Sequence, residues 1–149
     1  ASANDFAQGK NNSANADSLA QGDSNTAIGK SLAQGYQNKA YDTSIAQGSG
    51  NSAYIYSQAF GNNNVIRDHG MAIGQYNKTS ANVAFVIGDG TAEDARSDLF
   101  LIFKDGSISA KGNISASNIT QENPKITSIN EITPTKGLKK LKSASDLSL

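Results

Sequence analysis

The sequence predicts an all-β protein built as a parallel β-solenoid, with coils about thirteen residues long. Three observations carry that prediction. Glycine recurs at Gly9, Gly22, Gly35, Gly48, Gly61 and Gly74, each thirteen residues from the last, and a step of fourteen then reaches Gly88. Asparagine keeps the same interval at Asn12, Asn25, Asn38, Asn51, Asn64 and Asn77. Between these marks, side chains alternate over four or five positions, as in Ser18-Leu19-Ala20-Gln21, which is the period of a strand and not of a helix. The composition, with 37% hydrophobic residues and no tryptophan, leaves little for a core of large side chains. Its richness in Asn, Ser, Gly and Gln would by itself match disorder. The shared phase of Gly and Asn decides for order, because a disordered chain has no reason to keep it.

Each coil divides into two short strands, Asn-x-Ala-x and Ser-[Leu/Ile]-Ala-Gln. Glycine closing the second strand suits a corner that needs positive φ or close backbone approach. Asparagine at the other corner suits a turn in which the side chain bonds its own backbone. Some seven rungs spaced about 4.8 Å apart give a column of roughly 35 Å. The small file Ala7, Ala20, Ala33, Ala46, Ala59 and Ala72 is expected to be an interface between copies, since so thin a roll needs support from oligomerisation. The preceding file, Phe6, Leu19, Leu32, Ile45, Gln58 and Met71, is expected to form the core layer. Gln8, Gln21, Gln34 and Gln47 stand before the glycines until Phe60, Ile73 and Ile87 replace them. Stacked glutamines can bond amide to amide along the column.

After Gly88 the pattern changes. Asp98-Leu-Phe-Leu-Ile-Phe103, the turn Lys104-Asp105-Gly106 and the alternating Ser107-Ile108-Ser109-Ala110 read as a β-hairpin that caps the roll. The phrase Gly106-Ser-Ile108-Ser-Ala110-Lys is echoed at Gly112-Asn-Ile114-Ser-Ala116-Ser, as in a short shaft. Pro124 and Pro134 bracket a polar stretch, and Leu138 and Leu141 suit a short helix. The expected divisions are roll repeats over 1–88, a capping hairpin and connector over 89–112, and a shaft or linker over 113–149.

Several function classes lose their requirements. Without cysteine there is no disulfide and no thiolate metal site. A single histidine gives no Ser/His/Asp spacing, and no glycine-rich phosphate loop follows a strand. A site shared between subunits from Asp68 and His69 would resemble hexapeptide-repeat acyltransferases, but the roll lacks their six-residue period. Neither Thr-x-Thr ranks for ice nor Gly-Gly-x-Gly-x-Asp for calcium occur. Residues 1–103 hold six basic and nine acidic side chains, a balance of −3, and residues 104–149 hold seven and four, a balance of +3. Neither is a nucleic-acid surface. No run of about 18 apolar residues predicts a membrane span. No catalytic residue, metal or cofactor is therefore expected. The chain starts at Ala1 without a signal-peptide pattern, so it is expected to be a processed piece whose anchor lies elsewhere. The candidate ligand-binding residues are Tyr41, Tyr54, Tyr56, Arg67, His69 and Tyr76, because exposed tyrosine is a common anchor at interfaces. Packing between rungs and a corner hydrogen bond are the plain alternatives, with the Tyr41 and Tyr54 rings expected to stack.

Asn25-Thr-Ala-Ile-Gly29, His69-Gly-Met-Ala-Ile-Gly74 and Ala84-Phe-Val-Ile-Gly88 resemble the Asn-Ser-Val-Ala-Ile-Gly repeat of the YadA-like head of trimeric autotransporter adhesins. The resemblance covers residues 5–88 and departs from the family at the glutamine positions. It implies a left-handed parallel β-roll, a side-by-side homotrimer and an adhesive role on a bacterial cell surface. The implied partner is a host receptor, a matrix protein or a glycan. Neither the family's neck motif nor its coiled-coil stalk follows. The segment from Gly88 to Phe100, with the Lys-Asp-Gly turn, is similar instead to the join after such repeats in phage tail fibres. Ser143-Ala-Ser145-Asp146-Leu-Ser-Leu resembles the start of a fibre's autocleaving chaperone. The expected function is thus a non-enzymatic trimeric attachment head. Its alternatives are a tail-fibre region that recognises a bacterial surface and a spacer with no ligand.

Overall fold

The computed structural model describes residues 4–78 and 82–112. The expected shaft and short helix, within 113–149, lie outside the described residues. Long and short strands alternate along the chain as β1 (Phe6–Lys10), β2 (Ser13–Asn15), β3 (Leu19–Asp23), β4 (Thr26–Ile28), β5 (Leu32–Tyr36) and β6 (Lys39–Tyr41). They continue as β7 (Ile45–Ser49), β8 (Ser52–Tyr54), β9 (Gln58–Asn62), β10 (Val65–Arg67), β11 (Met71–Gln75) and β12 (Val83–Asp89). β13 (Asp98–Phe103) and β14 (Ile108–Ala110) complete the described elements, none of which is a helix. The long strands pair parallel in one sheet from β1 to β12, and the short strands pair parallel in a second, five-stranded sheet. Register follows the period, with Gly22 opposite Gly35 and Gly35 opposite Gly48. The molecule is a parallel β-solenoid of thirteen-residue coils, as the spacing predicts.

The inside and outside of the roll correct two expectations. Ala20, Ala33, Ala46, Ala59 and Ala72 of the long sheet are 0% exposed, as are Ala27, Ala40 and Ala53 of the short one. The alanine file is therefore the core of each chain and not an interface between chains. Strand alternation then sends the neighbours on either side outward. Leu19, Leu32, Ile45, Gln58 and Met71 are accordingly half-buried on the outer face and form no core layer. Methyl-sized residues fill the interior because two sheets closed within thirteen residues face each other with little space between.

Methyl groups bury little apolar area, so polar ladders share the load. Asn25, Asn38, Asn51 and Asn64 are fully buried. Asn38 Nδ2 donates to Gln34 O in the coil before and to Gly48 O at the end of its own, both at 2.8 Å. Its Oδ1 accepts the Asn51 N–H at 3.0 Å. Asparagine thus does bond its own coil, but it also ties three successive coils and sits inside the corner. The positive-φ residue is the one before it, as at Ser24, Gln37 and Asn63. The opposite corner has a serine ladder, in which Ser18 Oγ accepts the Ser31 N–H at 3.1 Å and Ser31 Oγ accepts the Ser44 N–H at 3.2 Å.

The ladders end through specific substitutions. Where the core alanine file reaches Ile66, the serine file has Gly70. A Cβ on Gly70 would lie 2.7 Å from Val83 O and 2.8 Å from Ile66 Cδ1, so backbone and the larger side chain together occupy what a serine would need. Among the described residues the short sheet ends at β10, so no further short strand follows Asn77. Its Oδ1 accepts the Val65 N–H at 2.7 Å and its Nδ2 donates to Val65 O at 2.8 Å. One side-chain amide thereby stands in for a neighbouring peptide on β10. On the long sheet, β13 pairs antiparallel with β12 and β14 with β13, the hairpin expected from the sequence. Leu101 and Phe103 pack on the core, and the sheet finishes in a short edge strand of three residues.

Candidate functional site

The short sheet, its adjoining corner and the long sheet present different chemistry. On the short sheet the outward file is Asn15, Ile28, Tyr41, Tyr54 and Arg67, in register. The Tyr41 and Tyr54 rings stack with centroids 5.3 Å apart and planes 9° apart, as the sequence predicts. The Arg67 guanidinium carbon lies 4.3 Å from the Tyr54 ring centroid. Tyr54 is therefore sandwiched between a ring and a cation, an arrangement that fixes it without using its hydroxyl.

Each coil leaves the short sheet through two consecutive residues with positive φ: Ala16-Asp17, Gly29-Lys30, Asp42-Thr43, Ile55-Tyr56 and Asp68-His69. Hydrogen bonds between coils hold this conformation. The Tyr56 N–H donates to Asp42 O at 2.9 Å, and the His69 N–H donates to Ile55 O at 2.9 Å. The backbone is thus set by stacking, whatever the side chain. Ile55 has φ of 54° and Tyr56 of 55°. For a β-branched residue that is an outlier, since its Cβ crowds the following carbonyl. Ile55 is also 42% exposed and Tyr56 59% exposed, and the Tyr56 ring stacks on His69 at 5.1 Å.

Five of the six residues singled out from the sequence, Tyr41, Tyr54, Tyr56, Arg67 and His69, lie in three consecutive coils on this sheet and its corner. Tyr76 does not join them. It occupies the opposite corner, beside buried Asn77, and Arg96 lies 5.8 Å from its ring. Sequence reasoning passed over Ile55. The signal was present, because its file otherwise reads Ala16, Gly29, Asp42 and Asp68. It also passed over Arg96, whose Nη1 donates at 2.9 Å to both Asn63 O and Asn77 O while Glu93 holds the other edge of the guanidinium. Arg96 fastens the connector to the last corners of the roll.

The outer face of the long sheet has two files. Leu19, Leu32, Ile45, Gln58, Met71 and Phe85 form one, and Gln21, Gln34, Gln47, Phe60, Ile73 and Ile87 the other. The glutamines form the expected ladder, Gln21 donating to Gln8 Oε1 and Gln34 to Gln21 Oε1, each at 2.7 Å, and Gln47 to Gln34. Near the hairpin, Lys111 Nζ donates to Asp89 Oδ2 at 2.8 Å and to Ser97 Oγ at 3.0 Å. The Lys111 hydrogen bond, helped by Ser97, holds the Asp89 carboxyl below its ordinary pKa. Burial pushes Asp98 the other way, although its Oδ1 accepts the Lys78 N–H at 2.8 Å. No group of three His, Cys, Asp or Glu side chains converges among the described residues. No family model, curated protein or solved structure matches this chain.

Proposed function

We infer that the chain is a non-enzymatic attachment head, a homotrimer that displays rigid columns outside the cell for multivalent contact with a host surface. The observation that carries this reading is the corner at Ile55-Tyr56. There the roll exposes two large side chains on a backbone conformation that disfavours them, beside the stacked Tyr41, Tyr54 and Arg67. Strain maintained at an exposed position is commonly a mark of function. The trimer reading is supported by the long sheet's outer face, where Leu19, Leu32 and Ile45 of one file and Phe60, Ile73 and Ile87 of the other stand half-buried on the outside of the roll. Three copies joined through that face would leave the three aromatic corners free, and avidity would turn weak contacts into firm attachment.

A phage tail fibre is the second reading. It is favoured by the Gly88–Phe100 connector, pinned by Arg96, and by the hairpin that follows, because these carry the resemblance to fibre proteins. Sedimentation of the full chain together with binding to cultured epithelial cells and to bacterial cells tests both. A trimer that binds epithelial cells supports the adhesin, and one that binds only bacteria supports the fibre. A monomer that binds neither removes both.

A further inference from the structure

The geometry points to a protein as the ligand of the Tyr54-Ile55-Tyr56 corner, docking an apolar group on Ile55 and Tyr56 and pairing charges around them. This rests on the attachment reading and names its partner's chemistry. Three features separate a protein from a glycan here. A pyranose binds aromatic side chains through a free ring face, yet Tyr41 and Arg67 cover the two sides of Tyr54, and His69 covers one side of Tyr56. Ile55, exposed beside Tyr56, has no hydrogen-bonding capacity, which is of little use to a hydroxyl-rich ligand. The charges around it also have both signs. Asp42 and Asp68 flank Ile55 in its own file, while Arg67 flanks Tyr54 in its file. An apolar centre within a rim of mixed charge is the anatomy of a protein interface, with aromatic anchors at its middle. An acidic glycan would call for cations alone, and the two carboxylates would repel it.

The backbone adds an independent argument. At the same corner the other coils place Ala-Asp, Gly-Lys, Asp-Thr or Asp-His, residues that are small or polar at the first position. Among the described residues, only this coil carries a β-branched residue there, at a φ that glycine or asparagine would adopt more readily. A side chain retained against local stability is expected where contact with a partner rewards it.

The test uses the labelled full chain and cultured epithelial cells that are untreated, shaved with trypsin, or oxidised with periodate to destroy glycans. A double variant, Ile55→Gly with Tyr56→Asn, removes the anchors and relieves the backbone. Its melting temperature is expected to rise by about 3 °C, which verifies that it folds. Wild type is expected to bind untreated and oxidised cells equally and shaved cells at least tenfold less. The double variant should bind untreated cells at least tenfold less than wild type. Binding that survives trypsin and disappears with periodate would overturn the inference in favour of a glycan. So would a variant that binds as well as wild type, and a fall in melting temperature would remove the strain argument. Wild type that binds no cells at all defeats the attachment reading itself.

Discussion

At the scale of the residue, this fold depends on groups that cannot be exchanged for their nearest relatives. A Cβ on Gly35 would lie 2.0 Å from Gly48 O, and the residue has φ of +117°. Gly35→Ala is therefore expected to cost more than about 3 kcal/mol in chemical denaturation, because the obstacle is backbone of the next coil. Gly106, with nothing within 4 Å of its added Cβ, provides the contrast. Its φ of +85° alone should make Gly106→Ala cost about 1 kcal/mol. Asn38→Asp keeps the shape but loses the amide donors to Gln34 O and Gly48 O and buries a charge. It should destabilise by about 3 kcal/mol or more at pH 7, and by less in acid, where the carboxyl is neutral. The Ile66/Gly70 exchange can be read the same way. Gly70→Ser alone should clash with both the Ile66 side chain and Val83 O, and adding Ile66→Ala should relieve the first of these but not the second. A double-mutant cycle by thermal melting should give a coupling of about 1 kcal/mol or more.

At the scale of the element, every strand of the roll owes its place to the strand one coil away. Strands of three to five residues have little stability in isolation, and the register repeats because each coil finds the same partners at the same offset. The hairpin differs, since its attachment includes side-chain charge. Asp89 has a folded pKa below its ordinary value, principally through Lys111, so this carboxylate contributes stability above about pH 4 and loses it as pH falls through the folded value. Asp98 has the opposite sign. Its folded pKa is raised by burial, so ionisation costs stability as pH rises through that value. Hydrogen exchange at β13 and β14 should show it. Asp89→Asn should lower hairpin protection at pH 7, with the difference from wild type shrinking below pH 4.

At the scale of the whole molecule, the outer face of the long sheet is the surface through which association is proposed. Leu19, Leu32 and Ile45 stand outward in one file, and the glutamine ladder fills the other until Phe60 takes over. If three copies meet through this face, Leu32→Glu with Ile45→Glu should shift the sedimenting species from trimer to monomer. The melting temperature would then depend on protein concentration only in the wild type. Tyr41→Ser, on the opposite sheet, should leave the sedimentation unchanged.

The period of thirteen was sufficient by itself to specify the solenoid, the two strands per coil, the glycine corners and the glutamine ladder. Each of these depends on a residue meeting its own equivalent one coil away, and such meetings are visible in spacing alone. Spacing says nothing of which side of a strand faces inward, because alternation is satisfied by either choice. The alanines and their larger neighbours were accordingly exchanged in the sequence reading, and only the closed roll, with its narrow interior, decided that methyl groups lie inside and leucines outside. Tyr41, Tyr54, Tyr56, Arg67 and His69 were legible as an aromatic and charged cluster because they share files or coils. Ile55 was legible only as a break in a file of small and polar residues, its meaning resting on a left-handed backbone set by stacking, and Arg96 was not legible, since it depends on a reach of 33 residues to Asn63.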